Sequence, residues 1–236
     1  MNENVKAKAK STEASIASAT GKLLRSYFGK GPGALYVSIA HSYLIIYLKD
    51  FITPMENVLL KQKQALKIEE TRDIVMEKCM PELKTMWSNE FAIQVHQIYY
   101  DWNLANTTGV IFAELKATQL TKNLSALSSE QETKIHQEMK RFTEKAQKAP
   151  RNIASVRLNE RTIISKREDI LVSIEKELIS SGFEEQLRLS KRKLEKSIID
   201  RSYLESILKQ RIEDLFVDWD FQQDIGYVVL ILHAEK

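Results

Sequence analysis

Apolar positions change period several times along this chain, and each change marks an element. Ile16, Leu23, Leu24 and Tyr27 recur at helical spacing, and Gly29 follows as a left-handed stop, so a helix is predicted from Ser11 to the glycine. Leu35 to Ile39 and Tyr43 to Leu48 are rich in β-branched and aromatic residues and lie on either side of Ala40-His41-Ser42, which predicts a β-hairpin. The second of these strands is apolar on both faces and is expected at a central, covered position. Thr53-Pro54-Met55-Glu56 then joins a capping residue, a Pro at the first helical position and a Glu three places after the cap. Helix is expected to continue, in one or two pieces, through Trp87, with Val75, Cys79, Leu83 and Met86 turned inward. Pro81 should kink it or start a new helix, because proline removes a backbone donor.

From Phe91 the period drops to two. Phe91, Ile93 and Val95 stand on one parity and Ile98, Tyr100 and Trp102 on the other, so a bulge is predicted near His96-Gln97. Asn103 to Thr108 reads as a turn and Gly109 to Leu115 as another strand, which completes an α-β-β-α-α-β-β unit over residues 11–116. Residues 1–10 lack apolar periodicity and are expected to be disordered. Residues 117–127 are expected to form a linker or a short helix carrying Leu120, Leu124 and Leu127. Ser129 and Glu132 then give a capping-box pattern, followed by Ile135, Met139 and Phe142 at helical spacing.

The pattern then repeats. Lys30-Gly31-Pro32 matches Lys148-Ala149-Pro150, Val37 and Ile39 match Val156 and Leu158, and Lys49-Asp50 meets Glu168-Asp169, all at nearly constant separation. Glu56 meets Glu175, Leu59 meets Leu178, and Asp101-Trp102 with Gly109 returns as Asp218-Trp219 with Gly226. The expected fold class is therefore α+β: two α-β-β-α-α-β-β repeats with antiparallel sheets, packed as an intrachain pseudo-dimer, the second spanning residues 128–236. The second copy has decayed. Gly29, Gly31 and Gly33 have no glycine counterparts, and Val172-Ser173 replaces Thr53-Pro54. Glu184 to Arg211 is highly charged, with Leu187, Leu194, Ile198, Leu204 and Leu208 kept along its helices.

Composition narrows the classes of function. Of 236 residues 43% are hydrophobic, enough for a core, and 35 basic residues against 32 acidic ones give a net charge of +3, too mild to point to nucleic acid. Lys6, Lys8, Lys10, Lys22 and Arg25 make the N-terminal helix basic, and this reads as a solvated face. A single cysteine, Cys79, excludes an intrachain disulfide and a thiolate zinc cluster. The N-terminus has lysines without an apolar signal core, and the longest apolar runs fall far short of the ~20 residues of a membrane span. The expectation is a cytoplasmic protein without a transmembrane segment, any membrane contact being peripheral at the inner face.

Leu23 to Pro32, with its Leu-Leu-Arg-x-x-Phe-Gly-Lys-Gly-Pro ending, is followed by the strand pair, Thr53 to Leu59, Arg72 and the Tyr100-Asp101-Trp102 strand. In these features the first copy resembles the MpsC-like family of small bacterial proteins, named after a sodium-translocating, membrane-potential-generating system linked to inorganic carbon supply. The resemblance covers residues 11–116 well and the second half through the internal match. It implies a cytosolic accessory to a membrane cation or bicarbonate system, with a protein partner such as a transporter subunit, and it carries over no catalytic residues.

The residues themselves offer little chemistry. Gly29-Lys30-Gly31-Pro32-Gly33 invites a phosphate-loop reading, yet it lacks the Walker spacing and precedes a strand where such a loop leads into a helix. A structural turn is favoured; should an anion bind, Lys30 and the amides of Gly31 and Gly33 are the candidate ligands, and Asp101 is added to the candidate ligand-binding residues. His41, His96, His136 and His233 show no ligand spacing, so neither a metal nor another cofactor is expected. Asp101 and Asp218 are expected to end strands or meet basic partners, and Cys79 to be core. The leading reading is a non-enzymatic interaction protein, with homo-oligomerisation left open. The alternatives are an anion or nucleotide sensor with a pocket between the repeats, and an enzyme in which Asp101, His96 and Arg72 converge.

Overall fold

The helix and strand signals resolve into the expected order in the first unit, and in the second into the same order with one further helix before the last strand pair. The computed structural model describes residues 3–40, 42–116 and 127–234, with side chains from Thr12 onward. It divides into two compact units, Met1–Lys122 and Asn123–Lys236. The first contains α1 (Glu3–Phe28), β1 (Ala34–Ala40), β2 (Tyr43–Lys49), α2 (Pro54–Lys61), α3 (Ala65–Phe91), β3 (Val95–Asn103) and β4 (Thr108–Leu115). The second contains α4 (Ser129–Ala146), β5 (Asn152–Asn159), β6 (Thr162–Glu168), α5 (Ser173–Ser180), α6 (Glu184–Ile198), α7 (Arg201–Leu208), β7 (Ile212–Asp220) and β8 (Ile225–Leu232). Each unit has one four-stranded antiparallel sheet, in the orders β1-β2-β4-β3 and β5-β6-β8-β7. The apolar strand β2 is central, as its two-faced pattern predicts, with Leu44 to Leu48 all buried.

Helices cover one face of each sheet. In the first unit Ile16 and Leu24 of α1 and Ile68, Met76, Cys79, Leu83 and Trp87 of α3 join Leu44, Ile46, Leu48, Ile111 and Trp102 in one apolar cluster. Trp87 Nε1 donates to Thr20 Oγ1 at 3.1 Å, so α1 and α3 are tied by a bond as well as by burial. Val75 and Met86, expected on the inner stripe, are only half-buried at its flanks. In the second unit Leu187, Leu204 and Leu208 enter the core, whereas Leu194 is 45% exposed.

The backbone repeats in detail. Left-handed residues recur at matching places: Asp50 and Asp169, Lys63 and Gly182, Ala92 and Lys209, Thr107 and Asp224. The bulge predicted near His96 is present, between Val95 and Gln97, and β7 has the same irregularity between Ile212 and Asp214. The paired Trp-Gly signal also acquires a cause. Trp102 lies opposite Gly109 and Trp219 opposite Gly226 across their strand pairs. A Cβ on Gly109 would stand 2.4 Å from Trp102 Cε3, so the indole can lie flat only over a residue with no side chain.

Several boundaries differ from expectation. Helix α1 starts at Glu3 and not at Ser11. The break between α2 and α3 falls at Gln62–Gln64, and Pro81 lies inside a helix that runs on to Phe91. The strand expected from Phe91 begins only at Val95, because Ala92 takes the left-handed cap and Ile93 N–H closes on the Trp87 carbonyl at 3.1 Å. The helix that is continuous in the first unit is broken in the second, where Asp200 caps α7 by accepting from Tyr203 N–H at 2.9 Å. The capping box of α4 uses Ser128 and Gln131, one residue ahead of the predicted pair. Of the predicted linker only Leu127 is among the described residues, and His41 also lies outside them.

Candidate functional site

A buried ion pair lies inside the first unit. Thr53 and Glu56 form a reciprocal capping box at the start of α2, with bonds of 3.2 and 2.7 Å. That fixes the Glu56 carboxylate toward the interior, where Arg72 of α3 meets it through Nε at 2.7 Å and Nη2 at 2.9 Å. Nη2 also donates to the Phe51 carbonyl at 2.8 Å. The guanidinium is 1% exposed and lies over three rings, those of Trp102, Phe51 and Phe28, at 4.7, 4.9 and 5.8 Å. Nη1 is buried and makes no hydrogen bond. Burial opposes ionisation of Glu56, but the bonds from Arg72 and Thr53 outweigh it and hold the carboxyl below its ordinary value.

The predicted ligand residues are each engaged within the fold. Gly29, at φ 71°, ends α1 as expected. The Lys30 ammonium donates to the Ile52 carbonyl at 2.9 Å, and the Gly33 amide donates to the Lys49 carbonyl at 2.9 Å, so both donors serve the turn. Gly31 is buried against Arg25 and the Gly21 carbonyl, where a Cβ would sit 3.3 Å from each. Asp101 is fully buried in β3 and accepts the Trp102 amide at 2.7 Å. Its counterpart Asp218 accepts the Trp219 amide at 2.8 Å and pairs with Arg188, the basic partner expected for such an acid. His96 is the exposed bulge residue, its carbonyl taken by Lys84 Nζ at 2.9 Å, while Arg72 is buried. Cys79 is buried, and burial pushes its thiol up to about 12, which makes it a core residue and not a nucleophile at neutral pH.

Among the described residues no group of three or more His, Cys, Asp and Glu could hold a metal ion. No described helix is long and apolar enough to cross a membrane. A shallow groove of about 640 Å³ runs between α1 and α3, lined by Ser15, Ser18, Lys22, Leu23, Met86 and Phe91 among others. None of the predicted ligand residues lines it.

In the second unit the equivalent of the Arg72 cage is a larger set. Glu175 bonds Lys191 at 2.8 Å, Lys191 stands 3.7 Å from Glu195, and Glu195 pairs with Arg167 at 2.7 Å, all with side chains under 10% exposed. Glu195 also accepts from Trp219 Nε1 at 3.2 Å and from Gln147 Nε2 at 2.6 Å. Only the glutamate half of the capping box survives, because Val172 has no side-chain acceptor while Glu175 still takes its amide at 3.0 Å.

Each unit thus has the same sheet order, a Trp opposite a Gly across its last strand pair, and a helix-borne Glu bonded to a basic residue of the next helix. A family model described as "Na+-translocating membrane potential-generating system (MpsC)" matches residues 8–117 and again residues 128–234. The chain belongs to the MpsC family. It holds two tandem MpsC copies, which together take in nearly all of it. No curated protein and no solved structure matches the chain.

Sequence reasoning named Glu56, Arg72 and Trp102 separately but missed that the MpsC fold brings them together. A signal was present: Glu56 and Trp102 return as Glu175 and Trp219, and a basic residue, Lys191, stands where Arg72 would recur. The arrangement pins the start of α2 to α3 and to the aromatic end of β3. Its chemistry is electrostatic fixing of a corner.

Proposed function

We propose that the chain is an interaction protein of a membrane system that translocates Na+ and generates membrane potential, acting by binding a protein subunit of that system and not by chemistry of its own. The observation that carries this reading is the match of both units to a family described by that system. The use of the repeated charged residues supports it: Glu56, Arg72, Asp101, Glu175, Lys191 and Asp218 are all buried and hold elements in place. Such interiors make rigid surfaces for recognition. In this proposal the chain works in the cytoplasm at the inner face of the membrane, and its partner is a cation-translocating or bicarbonate-transporting subunit.

The test is affinity purification of the tagged chain from gently solubilised membranes. Co-elution of an integral membrane transport subunit in stoichiometric amount is expected; recovery of the chain alone, under conditions that keep membrane complexes intact, would end the proposal. A thermal-shift screen with small anions and nucleotides addresses the sensing alternative. A shift that disappears in Lys30→Ala would replace the interaction reading with ligand binding at the glycine turn.

A further inference from the structure

The helical elbows of the two units are opposite in charge. In the first, α2 passes through Gln62–Gln64 into α3, and Met55, Val58 and Leu66 are 69%, 54% and 57% exposed. Met55 and Val58 stand three apart on one helix face. Lys61, Lys63 and Lys67 are exposed around them, and the one acid between Met55 and Lys67, Glu56, is buried under Arg72. In the second unit α5 passes through Ser181–Phe183 into α6, and Ile174 and Phe183 are 64% and 51% exposed. Here the surrounding charge is acidic: Glu177 and Glu185 are exposed, and Glu184 is partly engaged by Arg188 at 3.2 Å. The one lysine of that elbow, Lys176, is turned to Asp224 at 2.9 Å.

We propose that the basic elbow of one chain docks on the acidic elbow of a second copy. Both surfaces carry exposed apolar side chains that lose water on contact, and their charges attract across the junction. Two basic elbows, or two acidic ones, would repel, so the unlike pairing is selected over the like pairing. A few large side chains on each side make a small interface, so the contact is weak, and the solvent-exposed charges make it sensitive to salt. This pairing does not depend on the Na+-translocating reading, since it needs only this chain.

The experiment is sedimentation velocity over a concentration series at low and at high salt, with the intact chain. The weight-average mass of the wild type is expected to rise with concentration at low salt and to fall to the monomer at high salt. K61E/K63E/K67E has two acidic elbows and E177K/E185K has two basic ones, so each alone should stay monomeric, and an equimolar mixture should recover the association. Far-UV circular dichroism checks that both variants, changed only at exposed positions, are folded. A wild type that stays monomeric at low salt overturns the proposal, as does association that survives in either variant alone, or a mixture that fails to recover it. Binding of the wild type to anionic vesicles, lost in K61E/K63E/K67E and without self-association, would overturn it in favour of a lipid surface.

Discussion

The two units solve the same packing problem with different polarity. Leu48 of β2 faces Gly109 across the sheet, and at the corresponding place Arg167 of β6 faces Gly226. Met76 stands one helical turn after Arg72, and Glu195 one turn after Lys191. An apolar pair in the first unit is therefore an ion pair in the second, at 2.7 Å and with neither side chain exposed. The lesson is that at this position charge enters the interior as a matched pair. Arg167 without Glu195, or Glu195 without Arg167, would leave a bare charge in a low-dielectric site, whereas both together, or neither, are tolerable. The helix-borne bases differ in the same spirit. Arg72 uses its planar fork on Glu56 and lies near three aromatic rings, while Lys191, a point charge, is shared between two carboxylates.

The sharpest way to break that comparison is to import one half of the first unit's solution into the second. Arg167→Leu alone, or Glu195→Met alone, should lower stability by about 3–5 kcal/mol, because each strands a buried charge. The double variant R167L/E195M restores the Leu48–Met76 chemistry and should recover most of that loss in urea denaturation followed by Trp fluorescence. A double variant as unstable as either single one would show that the two positions are not coupled. Next in size is Gly109→Ala, whose added Cβ would stand 2.7 Å from Trp102 Cζ3 as well as 2.4 Å from Cε3. A loss of about 1–3 kcal/mol is expected from such overpacking, and a change confined to the noise of the melt would refute the Trp-over-Gly explanation.

Exchange of the caps is expected to have a smaller effect. Thr53→Val gives the first unit the cap of the second and should cost about 1 kcal/mol, while Val172→Thr should return a gain of similar size to the second. Equal and opposite shifts in denaturation midpoint are the signature; a neutral Val172→Thr would mean that the hydroxyl finds no amide there. The acid limb of stability sharpens the comparison last. Glu56 is held below its ordinary value of 4.5, so the unfolded chain takes up that proton first as pH falls. The contribution of Glu56 is complete above the ordinary value and is lost as pH falls through the lower folded one. Arg72→Leu removes the partner, so its stability profile should lack that acid-side loss; a profile parallel to the wild type below pH 4.5 would refute the assignment.

Much of this was legible in the chain. The hairpin, the covered strand β2, the capping box at Thr53 and the bulge at His96 each rest on residues a few positions apart, and local sterics act over that range. The misplaced boundaries share a cause as well. Ala92 adopts a left-handed cap that alanine does not favour, so no glycine announced the end of α3. Pro81 breaks nothing in the first unit, where Cys79, Leu83 and Trp87 are buried on both sides of it and hold the helix together. Ser128 and Ser129, each followed three places later by a residue able to complete a box, are indistinguishable as caps until Gln131 also bonds the Ile207 carbonyl at 3.3 Å.

The candidate site was legible in its members and not in its assembly. Lys30 looked like an anion ligand because a lysine between glycines resembles one locally; its bond to Ile52 reaches across 22 residues. Periodicity, capping and self-similarity by themselves determined the duplication, the order of elements in the first unit and most of the residues that point inward, since these depend on neighbours along the chain. Tertiary structure alone decided which buried charges meet and how the Trp rings find their glycines. It also decided which helical elbows are left exposed with opposite sign. Those outcomes depend on side chains brought together from distant elements, where the cost of an unpaired charge or an overfilled contact is settled only once the core has closed.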